Sequence, residues 1–384
     1  MPINPGSYRV ATEFQVDGVA YPMYSATIEL NAYSFASTLE VSAPIYPFDS
    51  TTKTASQVAL NFNSLSQRKA LVPFKVRLGY ADASSPQNQI SLFDLETGYL
   101  DESTYTYDAN EVHVVGRSIA SIFQDSRISN AVQKSQRGDQ LVSTLFAKRG
   151  IPVTIGAKSP NFVGKAYTDA EYLKVNRGRS EWDEMADAAL NDGFVFYVHN
   201  GRGYYGPPAA DVSTPTVQLA WGNDLESCSI NHAARRSHNI SVIVDSYQKK
   251  TQQKIRGGYG PSGFSISTSS SGAASGNGEQ FRFFISGLDK NSVKTRAKAI
   301  WTDLIKREFI ATIKVIPDAA FLQILAKYGA NFLVQLSGCF PEHNILYHVK
   351  KASIHIDASG DEPGVSVDLV LENHASTTGN ATYL

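Results

Sequence analysis

Residues 179–208, RSEWDEMADAALNDGFVFYVHNGRGYYGPP, can be read position by position. Ser180 is an N-cap: its hydroxyl accepts from the free N–H groups of the first helical turn, and Asp183 completes a capping box. Trp182, Met185, Ala186, Ala189 and Leu190 then recur at helical spacing. They form one apolar stripe, with Glu181, Asp183, Glu184, Asp187 and Asn191 expected on the solvent side. Gly193 stands where a left-handed C-cap residue ends a helix, and residues 194–198 are the aromatic and β-branched residues of a strand. Asn200-Gly201 supplies the positive φ angles of a tight hairpin turn. The return strand runs through Gly203 and Gly206 until Pro207-Pro208 removes the next ladder donors. No reactive group lies in this stretch.

The same stretch resembles a known family. Its Ser-x-Trp-Asp opening, short apolar helix, Asp192-Gly193-Phe194 step, strand, glycine turn and Tyr205-Gly206-Pro207 ending are similar to those of phage late control protein D and Mu-like baseplate hub proteins. A weaker resemblance extends to the hub part of type VI secretion spike proteins. The resemblance covers further places in the chain. Gly98-Tyr99-Leu100-Asp101 resembles a Gly-x-apolar-Asp turn that ends a strand in the family. Residues 112–118 resemble its Val-x-Val-x-Gly-Arg-(Asp/Ser) step, with Asp125 at the matching acidic position after the following helix. A departure is residues 315–318, where Val-Ile-Pro-Asp replaces the family's Val-Pro-Gly.

Composition narrows the class. The 384 residues are 42% hydrophobic and 18% charged, enough for two to four domains with substantial cores. A formal net charge of -1 gives no bulk drive toward nucleic acid or an anionic membrane. Cys228 and Cys339, the only cysteines, are far apart in sequence, so the expectation is two small buried residues, with neither a disulfide scaffold nor a cysteine zinc site. Residues 1–5 lack the basic and apolar regions of a secretory leader, and no run approaches the ~20 apolar residues that span a bilayer. Folding in a host cytoplasm is expected.

Taken in order, the chain starts as β structure. Residues 8–30 read as two strands around the hairpin signal Asp17-Gly18, with Phe14 and Val16 on one face and Ala26, Ile28 and Leu30 on another. Phe74, Val76, Leu78 and Tyr80 alternate with polar or small residues, the period of a half-buried strand, before a polar loop at 82–89. The first hundred or so residues read as a β-barrel or sandwich. A short helix holding Ile119, Ile122 and Phe123 follows, then a helix over 139–149 with Leu141, Val142, Leu145 and Phe146 inward, ended by Gly150 and followed by a strand at 153–155. Strands return at 217–220 and 239–244. Residues 257–278 are mostly Gly and Ser and read as a mobile loop inside a domain. The longest helix is expected over 291–308, with Val293, Ala297, Ile300, Trp301, Leu304 and Ile305 inward and Lys294, Arg296, Lys298, Lys306 and Arg307 on a solvated face. Strands then run to the end at 311–315, 332–336, 346–356 and 365–371.

No constellation for catalysis is present in the sequence. The eight histidines are scattered. His343 and His348, the nearest to a pair, would point to opposite faces of a regular strand. There is no Gly-x-Ser-x-Gly elbow, phosphate loop or cysteine-histidine signature. Arg117 and Asp125 read as a structural ion pair or cap, and Asp101-Glu102 and Asp361-Glu362 as carboxylates beside turns. No catalytic, cofactor-binding or metal-ligating residue is assigned, and no cofactor is expected. A glycosidase needs only two carboxylates at the right separation, so a soluble β-rich carbohydrate-binding protein or glycosidase is the alternative reading.

The expectation is a mainly β, α+β chain: a first β-barrel domain at 1–110, a mixed α/β domain at 111–222, a second β-barrel domain at 223–372 carrying the flexible loop at 257–278, and a tail at 373–384. The resemblance implies that both barrels are tube-like and antiparallel. It also implies a homotrimeric hub in the tail baseplate of a virion, adapting the sixfold tail tube above to the threefold central spike below. Its partners are then those proteins and other baseplate proteins, with DNA only as passing cargo in an axial channel.

Overall fold

The protein is described by a computed structural model over residues 8–32, 36–45, 71–82, 90–128, 136–163, 178–207, 215–233, 240–248, 252–261, 263–267, 279–358 and 364–374. Seven strands come first: β1 (Tyr8–Val16), β2 (Val19–Tyr21), β3 (Ser25–Asn31), β4 (Thr38–Pro44), β5 (Val72–Asp82), β6 (Ile90–Thr106) and β7 (Glu111–Ser118). Asp17 and Gly18 turn β1 into β2 with φ of 52° and 79°, as the sequence predicts. Strict alternation puts Ala26, Ile28 and Leu30 of β3, and Val112 and Val114 of β7, into the core.

The middle of the chain is α1 (Ser121–Asp125), α2 (Gly138–Lys148), β8 (Val153–Ile155), α3 (Glu181–Asp192), β9 (Val195–His199) and β10 (Arg202–Gly206). The capping box at Ser180 and Asp183 is formed, and Gly193 caps α3 at φ 70°. Asn200 and Gly201, at φ 44° and 72°, make the β9–β10 turn, and β8 adds in parallel to β10. This block has its own core, centred on Phe123, Phe146, Trp182, Met185, Phe196 and Tyr205.

The remainder is β11 (Thr216–Ala220), β12 (Leu225–His232), β13 (Ser241–Gln248), β14 (Gln253–Gly260), β15 (Gly263–Ser267), β16 (Gln280–Phe284), α4 (Lys290–Ile305), β17 (Phe309–Val315), α5 (Ala319–Tyr328), β18 (Leu333–Ser337), β19 (Leu346–Asp357) and β20 (Gly364–Asn373). The architecture is mainly β. Thirteen strands make one sheet in the order β12-β17-β20-β19-β3-β4-β7-β6-β5-β1-β2, with β11 on β18 and β18 on β19. The seam between the first and last β regions is the antiparallel β3–β19 ladder, in which Ile28 faces Ile354. One core runs behind both regions. Among the described residues no ladder closes either region into a separate barrel. Strands β13 to β16 form a separate four-stranded sheet covered by α4, with Val242, Val244, Ile255, Val293 and Ala297 between them.

Several expectations are corrected. Gly98 to Asp101 is not a turn: β6 runs straight through it, with a bulge between Leu100 and Glu102. The glycine is required by close approach, since a Cβ on Gly98 would lie inside the contact radius of the Arg117 carbonyl oxygen on β7. Gly98→Ala is expected to cost about 1–3 kcal/mol as the β6–β7 ladder is pushed apart, measured by urea unfolding. An unchanged midpoint would show that the ladder yields freely there. Residues 257–260 and 263–267, expected in a mobile loop, lie in β14 and β15, where hydrogen bonds to β13 and to each other compensate the missing apolar content. Residues 268–278, the loop at 83–89 and the tail from 375 lie outside the described residues.

Helix α5 falls where strands alone were expected. Asp318 caps it, accepting from the Phe321 N–H at 2.7 Å, and Phe321, Leu322 and Leu325 are buried against the sheet. On α3, Trp182, Met185 and Ala189 are buried as expected, but Leu190 is 43% exposed, and Glu181 and Glu184, expected in solvent, are buried. On α4, Arg296 is turned inward: its side chain is 14% exposed and meets Asp187 at 3.3 Å. Burial lowers its pKa, as does the neighbouring Arg179. Lys306, just past α4, is also lowered by burial, so the expected solvated basic face is only partly in solvent. Strand β13 is buried on both faces from Ser241 to Val244, where a one-sided alternation was expected.

Candidate functional site

The three acidic and basic residues that carry the family resemblance meet in one place. β7 projects Arg117 between Asp101 of β6 and Asp125, the last residue of α1. Its guanidinium donates to both Asp101 oxygens at 2.7 and 3.0 Å and to both Asp125 oxygens at 2.8 and 3.2 Å. These hydrogen bonds, first to Asp101 and then to Asp125, raise the Arg117 pKa further. Both carboxylates and the fork of donors are used up by one another. The cluster therefore fixes how α1 leaves the large sheet, the structural ion pair expected from the sequence. Asp101 and Glu102 lie within a strand and not beside a turn. Asp361 and Glu362 are outside the described residues.

Two buried acids of α3 do related work. Glu181, 1% exposed, accepts from Lys148 at 2.8 Å and Arg149 at 3.1 Å, joining α3 to the end of α2. Asp192, 6% exposed, accepts from the Tyr205 hydroxyl at 2.6 Å, from the Ser159 hydroxyl, and from the Asn161 N–H at 3.3 Å. Burial raises the Asp192 pKa and these donors pull it back. Burial, with Asp192 next to it, raises the Tyr205 pKa. A serine beside a carboxylate invites a nucleophile reading. Ser159 and Tyr205 are both fully buried, however, and the serine hydroxyl is taken up by Asp192, Tyr205 and the Asp139 N–H, a set of contacts that ties α2, α3 and β10 together.

A further buried pair joins all three parts of the chain. Glu96 of β6 accepts from the Asn200 N–H of the β9–β10 turn and from the Thr97 N–H, each at 3.0 Å. His199, at the end of β9, places Nδ1 3.4 Å from the other Glu96 oxygen and Nε2 2.9 Å from the Ala326 carbonyl of α5. A carbonyl only accepts, so Nε2 carries a proton, and the carboxylate at Nδ1 favours a second one. Burial opposes that charge, but the Glu96 carboxylate and the Ala326 carbonyl outweigh it and the His199 pKa is raised.

The histidines expected to be the nearest pair are not one. His343 ends the 3-10 turn Pro341–His343, with its ring against Phe309 and Phe340. His348 is enclosed in β19, where burial, Lys306 and His374 lower its pKa to about 3. Among the described residues no group of three or more His, Cys, Asp or Glu is placed to hold a metal ion, and no helix is long and apolar enough to cross a membrane.

The outer surface has its own pattern. Among the described residues β12, laddered to β17, is an edge strand of the large sheet, and β2 and β11 are the sheet's other ends. Along β12 runs a groove of about 500 Å³ lined by Trp221, Cys228, Ile230, Cys339, Phe340 and His343. Trp221 is 48% exposed and Phe340 73%, large apolar rings held in water beside open backbone donors and acceptors. The two cysteines, expected as separate buried residues, line this groove together, and both are partly exposed. Long-range pairing of β11 with β18 and of β12 with β17 brings them together, which no local signal records.

No protein-family model and no curated protein matches the sequence. The fold does match solved structures. A tail protein from Neisseria meningitidis MC58 superposes with a TM-score of 0.63 at 12% identity, over 97% of this chain and 99% of that one. The 43 kDa tail protein of prophage MuSo2 from Shewanella oneidensis gives 0.60 at 12% identity, over 94% and 98%. An E. coli component of the type VI secretion system, described as structurally similar to the T4 bacteriophage tail proteins gp27 and gp5, gives 0.52 at 7% identity, over 94% of this chain and 76% of that one. The chain has the fold of tail proteins, the group to which the resemblance in residues 179–208 points.

Proposed function

We propose that the protein is the baseplate hub of a contractile phage tail, a structural component that works by assembly and has no catalytic centre. The observation that carries this is the two-way coverage of solved tail proteins: the shared fold spans 97% of this chain and 99% of one tail protein, and 94% and 98% with another. The likeness to a type VI component that itself resembles gp27 and gp5 supports the hub among tail parts.

In this reading three copies close into a ring with an axial channel. The ring adapts the sixfold tail tube on one side to the threefold spike on the other, and DNA passes through without being held. Unlike open edges of the large sheet, such as β12 and β2, suit head-to-tail contact between copies, the kind that closes into cyclic rings. Permanent rings of this kind bury on the order of 2,000 Å² or more at each contact, and Trp221 and Phe340 beside β12 supply the apolar and aromatic side chains such contacts favour. Light scattering on the purified chain is expected to give three times the monomer mass. Electron microscopy of the intact particle is expected to place the chain in the axial ring above the spike. A monomer that binds saccharide, or density elsewhere in the particle, would overturn the hub reading.

A further inference from the structure

The chain has two cysteines, and the fold puts both in one groove. Cys228 stands on the edge strand β12, across the ladder from Ile313 of β17. Cys339 stands in the loop between β18 and β19, just after Gly338, whose φ of 77° sets the turn. That loop is held rigidly at Cys339. The Asn344 side chain accepts from the Cys339 N–H at 3.1 Å and donates to its carbonyl at 3.2 Å. Both cysteines line the same groove, and Cys339 is near enough to Cys228 to add to the upward shift that burial gives its pKa. Both are partly exposed in the single chain, so the pair is open to a reagent from solvent wherever a neighbouring copy does not cover the groove.

We propose that Cys228 and Cys339 are a disulfide site: exposed to a small-molecule disulfide such as oxidised glutathione, they close into one intramolecular bond that clasps β12 to the β18–β19 loop. The Cys339 thiolate attacks one sulfur of the reagent and expels one glutathione thiolate, leaving a mixed disulfide on Cys339. Cys228 then loses its proton to solvent and attacks the Cys339 sulfur. The protein S–S bond forms and the second glutathione leaves. Two electrons pass from the protein dithiol to the reagent, which ends as two thiols. The order follows from the thiols themselves: burial, then the neighbouring Cys339, pushes the Cys228 pKa up to about 11, so Cys228 is the slower nucleophile and the resolving partner.

The bond would join points distant in sequence, which stabilises chiefly by restricting the unfolded chain. It would also pin the loop bearing Phe340 to the open edge of the sheet, holding the apolar groove in one shape. In a reducing cytoplasm the pair stays as thiols, and closure awaits an oxidising exterior.

The test uses the full-length protein, purified in reductant and then moved into oxidised glutathione. The expected result is an intact mass lower by two hydrogens and a proteolytic map joining the Cys228 peptide to the Cys339 peptide. The melting temperature should rise by roughly 5 °C, and reductant should reverse all three changes. Cys228→Ser and Cys339→Ser, handled identically, should gain at most one glutathione each and show no rise. Three results would overturn the proposal: glutathione retained on both cysteines without a link, a disulfide between two chains, or a linked chain that melts no higher than the reduced one.

Discussion

Trp182→Ala is expected to lower the unfolding free energy by about 3–5 kcal/mol, the range for removing a large aromatic side chain from a packed core. Trp182 is 5% exposed, at the first turn of α3, with its ring 4.6 Å from Phe196 of β9. Phe196 meets Phe146 of α2 edge-on at 6.1 Å, and Phe146 meets Phe123 of α1 at 4.6 Å. The indole is thus one end of an aromatic chain that touches every helix of the middle block. The hole left by truncation is walled by rings and by the capped start of a helix, so it collapses poorly and the cost belongs toward the upper end. Urea unfolding measures it. A change below ~1 kcal/mol would mean that the block repacks and that α3 is held by its charges alone. Because Trp182 is not among the residues that line the groove along β12, subunit mass in light scattering should not change under native conditions.

Glu96→Ala is expected to cost a comparable ~3–5 kcal/mol, since it leaves His199 and the Asn200 N–H buried without their acceptor. Glu96→Gln isolates the charge. Folded His199 has a pKa above its ordinary 6.5, so the pair's stabilisation is fully present below 6.5 and is lost as pH rises through the raised folded value. The stability gap between the native protein and Glu96→Gln should therefore be widest on the acid side of neutrality and narrow on the alkaline side. Thermal unfolding of both proteins across that range is the measurement. A gap that does not change with pH would show that His199 is neutral in the fold. The pair connects β6, the β9–β10 turn and α5, so its loss should also loosen the middle block on the large sheet, seen as faster amide exchange in β9.

What could be read from the chain alone was set by neighbours within about four residues. Ser180 with Asp183, Gly193, Asn200-Gly201 and Asp17-Gly18 each determine a cap or a turn through their own backbone and side chains, and all of them fold as read. Period-two alternation located β3, β5 and β20 by the same logic. Helix α5 was equally local, with an N-cap at Asp318 and an apolar run behind it, and its signal was present but not used.

What needed the tertiary structure was every pairing between distant segments. Composition and pattern determined a mainly β chain around an α/β block, but not that β3 would pair with β19 and merge the two β regions in one sheet, because edge strands advertise no partner. Helical periodicity assigned Glu181, Glu184 and Arg296 to solvent, since burying a charge is costly unless a partner compensates it. Those partners, Lys148, Arg149, Arg179 and Asp187, come from other turns and other helices. The Arg117 triad, the Glu96–His199 pair and the meeting of Cys228 with Cys339 have the same origin: local sequence determines which groups are offered, and only the packed chain decides which of them meet.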